Sequence, residues 1–212
     1  MSKTVLRLSF TVALLMVLSA CTTPKQPPIP VGNLSIGTAF YTQPQGTADL
    51  LAGYMTDDIR PINGQTLAEL DTLWSATLRE KTKRSYIQGR GAADCAKTVH
   101  AAEGHRAALR RWSAVGRCMG VDLLIVPQII EWRERDGGEY GVEAPARVVM
   151  DTYIIDVRNE TLISRSRYDE TQSALTSNLL DAGKFMQRGG KWVTAADLAK
   201  EGMEKAVKDL GL

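Results

Sequence analysis

The sequence predicts an α/β fold: one layered domain with a mixed sheet of about five strands, helices packed on it, and two C-terminal helices. Three observations carry this. Val121-Asp122-Leu123-Leu124-Ile125-Val126 is apolar at positions facing both ways along a strand, as in a central strand covered on each side. Thr66 with Glu69, and Thr194 with Asp197, have capping-box spacing and lead into apolar residues at helical intervals. Ala146 to Val157 and Leu162 to Tyr168 alternate around the turn Arg158-Asn159-Glu160, so strand follows strand with no helix between.

The chain begins with the grammar of a secretory signal. Lys3 and Arg7 make a short positive start, Leu8 to Leu18 is apolar except for Ser9 and Thr11, and small Ser19 and Ala20 precede Cys21. The run is shorter than the ~20 apolar residues of a spanning helix and fits the core of a cleavable signal. Leu18-Ser19-Ala20-Cys21 resembles the lipobox of bacterial lipoproteins. That resemblance implies cleavage before Cys21, diacylglycerol on its thiol, and a three-chain anchor where a single chain would hold only marginally. Thr22 stands where the family's inner-membrane retention signal has Asp, which implies the outer membrane with the domain facing the periplasm.

Residues 21–32 follow as a lipidated cysteine and linker. Pro24, Pro27, Pro28 and Pro30 forbid a helix and favour an extended spacer of roughly 30 Å. Residues 33–212 remain for one soluble domain, long enough for a real core. Removing residues 1–20 takes away Lys3 and Arg7, so the formal net charge falls from +2 to 0. Neither charge nor compartment then favours nucleic acid as a partner.

Along the domain, Leu34 to Tyr41 reads as a first strand, and Thr42 to Gln65 as an irregular loop. A helix opens at Thr66, with Leu67, Leu70, Trp74 and Leu78 on one face and basic residues at its end. Ser85 to Arg90 reads as a short edge strand. Ala92 to Met119 reads as helical in two parts, the second bearing Ala108, Trp112, Val115 and Met119 and closing at Gly120. Val121 to Arg135 is the main strand, and Asp136-Gly137-Gly138 begins a connection to Pro145. After the meander come helices over Ser173 to Met186 and Thr194 to Leu210, parted by Gly189-Gly190.

Cys95 and Cys118 form an even pair in an oxidising compartment and are expected to be bonded. One unbroken helix would hold them about 35 Å apart, so the bond requires a break, for which Gly104 is the candidate.

From Val121 onward the chain resembles Gram-negative lipoproteins of unassigned role. The stretches that carry the resemblance are Val121 to Val126, Trp132-Arg133-Glu134-Arg135 with Tyr140-Gly141-Val142, Tyr168-Asp169-Glu170-Thr171-Gln172, Leu179-Leu180 and Gly190 to Ala195. The order of elements resembles the TolB N-terminal fold, which implies a periplasmic adaptor or assembly factor.

Cys95, His100 and His105 supply too few ligands for a metal, and the two histidines fall about 140° apart around a helix, so no metal is expected. No nucleophile elbow, zinc-protease helix or phosphate-cradling loop is present, so neither catalysis nor a cofactor is expected beyond the lipid on Cys21. Arg106, Arg110, Arg111 and Arg117 read as a solvated helix face. Trp132, Arg133, Arg135 and Tyr140 form the candidate partner-binding set, since Trp, Tyr and Arg dominate interface energetics, although a strand leaving the core explains them too. The expected function is a non-catalytic, membrane-anchored adaptor or assembly accessory that binds another envelope protein. The alternatives are a binder of a glycan or lipid fragment, in a pocket among Trp132, Tyr140 and Trp192, and a subunit of an oligomeric secretion-type assembly.

Overall fold

In the computed structural model, which describes residues 34–55, 59–88, 90–103, 107–172 and 182–212, the elements follow in this order. They are β1 (Ile36–Thr38), α1 (Gly64–Lys81), α2 (Arg90–Glu103), α3 (Ala108–Met119), β2 (Leu123–Arg133), β3 (Asp136–Gly137), β4 (Val142–Ala144), β5 (Arg147–Asp156), β6 (Thr161–Thr171), α4 (Ala182–Gln187) and α5 (Ala195–Leu210). The signal, Cys21, the linker, Gly104, His105 and the first part of the helix expected over Ser173 to Met186 lie outside the described residues.

The domain is a mixed α/β layer structure whose main sheet has the order β1-β2-β5-β6. β1 runs parallel to β2, and β5 and β6 are antiparallel to their neighbours. β2 is therefore a central strand, which explains why Leu123 to Ile130 is buried throughout. Asp122, the polar member of the apolar run, sits just before it and accepts from both the backbone N–H and the hydroxyl of Ser35, at 2.8 and 2.7 Å. Those bonds hold its carboxyl below the usual carboxylate range and pin the start of β1 to β2.

Side-chain alternation divides the core. Leu123, Ile125 and Ile129 of β2 pack with Leu70, Trp74 and Leu78 of α1 and Leu198 and Met203 of α5. Leu124 and Val126 face the other way, with Val99 of α2, Trp112 and Val115 of α3, and Tyr153 and Ile155 of β5. Each fully buried aliphatic or aromatic side chain stabilises by about 1.5–3 kcal/mol, so both helical layers are held mainly by this burial. α5 comes so close to the sheet that a Cβ at Gly202 would lie 2.8 Å from both Met150 Sδ and Tyr168 Cγ.

Several local expectations change. Asn63, not Thr66, caps α1: the Asn63 side chain accepts from Thr66 N at 2.8 Å, so the cap lies three residues earlier. The edge strand expected at Ser85 to Arg90 shrinks to one bridge, where Ile87 pairs with Gly37. Among the described residues the mixed sheet has four strands, and β3 and β4 form a separate two-stranded ribbon. Gly120 does end α3 in the left-handed conformation, φ 70°. The second capping box is complete: Asp197 N donates to Thr194 Oγ1 at 3.1 Å, and Thr194 N donates to the Asp197 carboxylate at 3.0 Å.

α2 and α3 are separate helices, and a disulfide joins Cys95 to Cys118 with their Cα atoms 5.7 Å apart. A buried charge cluster lies on the same face of the sheet as these helices. Asp151, fully buried in β5, accepts two bonds from Arg165, each 2.9 Å, and one from Arg167 at 3.0 Å. Tyr153 beside it donates to Ala52 O at 2.7 Å, tying the long loop after β1 to the sheet. Among the described residues, no helix is long and apolar enough to cross a membrane.

Candidate protein-binding surface

The β3–β4 ribbon leaves the sheet just beyond β2 and is braced at its base. Asp136 pairs with Ala144 and Gly137 with Val142, and Gly138 N donates to Gly141 O at 2.8 Å to close the tip. Trp192 N donates to Glu139 O at 2.8 Å, and the Arg135 guanidinium donates to Trp192 O. The buried Gln172 amide holds the same segment from beneath, donating to Lys191 O and accepting from Val193 N, both at 2.7 Å. The Glu134 carboxylate accepts from Ala195 N at 3.1 Å, at the start of α5, where the helix dipole favours negative charge.

This bracing separates the four residues of the candidate set. Trp132 is partly buried and packs against the core beneath α1 and α5, opposite Val148 of β5. A register shift between Ile129 and Glu131 turns it to that side. Arg135 is spent on the Trp192 carbonyl. Arg133 remains exposed, and Tyr140 at the ribbon tip is 83% exposed. Lys191 Nζ lies 5.6 Å from the Tyr140 ring centroid and 2.8 Å from Glu139 Oε2. The bond from Lys191 holds the Glu139 carboxyl below its ordinary range, and Glu139 raises the lysine.

Among the described residues, no cavity is lined by Trp132, Tyr140 and Trp192 together. Trp192 packs edge-on against Phe185, centroids 5.9 Å apart, and lines a depression of about 470 Å³ with charged residues that include Arg135, Arg188 and Glu201. Neither Trp132 nor Tyr140 lines it. Asp169 to Gln172 are likewise engaged within the fold: Asp169 pairs with Arg147 at 3.1 Å and Glu170 with Arg188 at 3.3 Å. The arginine-rich helix face is partly paired as well, Arg111 with Asp49 at 3.0 Å and Arg117 with Glu160 at 2.8 Å; Arg106 lies outside the described residues. Cys95 is committed to the disulfide. Among the described residues, no group of three or more His, Cys, Asp or Glu could hold a metal.

Sequence reasoning overlooked the Asp151 cluster. Its signal was an aspartate inside the apolar run Val148 to Ile155, with Arg165 and Arg167 spaced to meet it from the next strand.

No family model and no curated protein sequence matches this chain. Among solved structures it is similar to the PelC dodecamer from Paraburkholderia phytofirmans, at 13% identity and a TM-score of 0.44, covering 84% of this chain and 86% of that one. It is also similar to the LpoB C-terminal domain from Salmonella enterica, at 9% identity and 0.39, covering 66% and 83%. A third is the lipoprotein GNA1162 from Neisseria meningitidis, at 16% and 0.40, covering 74% and 99%. At these scores the likeness transfers neither partner nor activity to this chain.

Proposed function

We propose that this protein is a lipid-anchored, non-catalytic accessory of a bacterial outer membrane that faces the periplasm and binds another envelope protein through the β3–β4 ribbon. The observation that carries the reading is Tyr140, a large aromatic held in solvent on a ribbon fixed at several points. A rigid, exposed aromatic beside a charged rim is the chemistry of an interface anchor, because little conformational freedom is lost when a partner covers it. Arg133 adds a second exposed side chain at the end of β2. The lipobox resemblance at Leu18-Ser19-Ala20-Cys21 and the proline spacer support a domain tethered to, and held away from, a lipid surface. The resemblance to periplasmic lipoproteins of TolB N-terminal-like fold supports the same assignment.

The test is crosslinking in intact cells with a photoreactive residue in place of Tyr140, and a second site in place of Lys208, which is exposed on α5. One envelope protein should be enriched from position 140, be absent from position 208, and disappear when Cys21→Ser removes the anchor. Tyr140→Ala should lower capture at a neighbouring probe by about tenfold or more, the scale of an interface anchor. Equal capture at both positions, or none at native abundance, rejects the proposal.

A further inference from the structure

We infer that the cleft between the sheet and the α2–α3 pair is a binding site for a small, uncharged, mainly apolar molecule bearing a primary amide or an equivalent paired donor and acceptor. The cleft has a volume of about 480 Å³, within the range of sites for small molecules. It lies on the opposite side of the sheet from α1 and α5.

Three polar side-chain atoms of residues lining it are buried and have no hydrogen-bond partner: Gln128 Oε1, Trp112 Nε1 and Thr42 Oγ1. Buried polar groups are almost always paired, so three orphans around one cleft need a reason. Gln128, 1% exposed, is the most telling. Its Nε2 donates to Asp49 O at 2.9 Å, which fixes the amide and leaves the oxygen as an acceptor. Trp112, 6% exposed, can only donate. A ligand that satisfies both must bring a donor and an acceptor, and a primary amide brings the two on one carbon.

The rest of the lining sets charge and polarity. Pro44, Ala96 and Val115 supply apolar wall. Arg111 lines the cleft but is neutralised by Asp49 at 3.0 Å. The remaining cation is Lys97, which is exposed. One solvated lysine with no second free cation among the described lining residues is a poor trap for phosphate or a polyanionic headgroup. The exposed wall is mainly apolar, and Arg111 and Asp49 are spent on each other, which equally disfavours a glycan. A compact apolar body with a single amide fits what remains.

The experiment uses the lipidated full chain in lipid nanodiscs, with 3-phenylpropanamide and its N,N-dimethyl analogue as probes, followed by saturation-transfer NMR. The wild type should bind the primary amide saturably and prefer it over the dimethyl compound by about tenfold, the worth of one hydrogen bond. Gln128→Leu should erase that preference, and Ala96→Trp, which fills the cleft, should abolish binding of both. Circular dichroism checks that each variant is folded. If Ala96→Trp does not fold, the loss or retention of the preference in Gln128→Leu decides the matter. No saturable binding at millimolar probe, or a preference unchanged in Gln128→Leu, overturns the site. Tyr140→Ala should leave amide binding untouched, so failure here is distinguishable from failure of the ribbon as an interface.

Discussion

On one face of the sheet, α1 and α5 bury an apolar cluster that runs from Ile36 to Leu210 and includes Leu70, Trp74, Leu198 and Met203, each at most 2% exposed, with the hydroxyls of Thr38 and Thr77 hydrogen-bonded within it. On the other face, α2 and α3 meet a surface interrupted by Gln128 and Asp151, joined by a disulfide and opening into a cleft of about 480 Å³. The first face has the close packing expected of a core, in which a Cβ at Gly202 already finds no room. The second has its own apolar cluster, and a covalent link between its helices is added to that burial. Close packing is found on the second face too, where a Cβ at Gly116 would collide with Val157, so what distinguishes that face is its buried amide and charge, its disulfide and its cleft.

The largest expected effect breaks the second face selectively. Replacing the pair, Cys95→Ala with Cys118→Ala, removes a cross-link between residues 23 apart in sequence. The loop-closure relation puts the loss at about 3 kcal/mol. Hydrogen exchange should show α2 and α3 opening well before β2, β5 and α5. Uniform loss of protection across both faces would mean that the two layers fold as one unit and that the comparison has no energetic content.

A smaller effect tests the first face. Asp71 of α1 accepts from Tyr41 N at 2.6 Å, yet burial raises its pKa from 3.8 to about 6. The folded state therefore holds this proton more tightly than the unfolded state does. The stability it contributes is present at acid pH and is lost as pH rises from about 4 through about 6. Asp71→Asn, which mimics the protonated carboxyl, should melt with the wild type near pH 4 and above it at pH 7.5. Parallel melting temperatures across that range would show that Asp71 titrates normally.

The two faces also differ in how far they can be read from sequence. The central position of β2 was legible because continuous apolarity needs cover on both sides, and the Thr194 box and Gly120 cap were legible because they depend on neighbouring residues alone. The start of α1 was misread for a related reason: Asn63 and Thr66 are both capping residues three apart, and local grammar fits either. The role of Trp132 was hidden by the register shift at Ile129, which no alternation rule foresees. The cleft was least visible. It depends on Thr42, Pro44 and Asp49 from a loop without periodicity, held by long-range bonds such as Gln128 Nε2 to Asp49 O and Tyr153 to Ala52 O. Gln128 itself was the available clue, a polar residue in the middle of an otherwise apolar central strand.

The smallest effect compares two tryptophans, one from each face. Trp74 in α1 is 1% exposed, and its Nε1 donates to Thr38 Oγ1 at 2.9 Å. Trp112 in α3 is 6% exposed, and its Nε1 has no partner. Substitution by Phe removes the donor from both and trims a comparable amount of ring. At Trp74 the change also removes the donor to Thr38 Oγ1, whose hydroxyl keeps only its own bond to Ala39 O, so Trp74→Phe should cost about 1 kcal/mol more than Trp112→Phe, the net worth of a buried hydrogen bond. Denaturant titration measures the difference, because the ring-volume terms are similar and largely cancel. Equal losses would mean that Trp112 Nε1 is satisfied in solution by ordered water, which would remove one of the three groups that define the cleft as a ligand site.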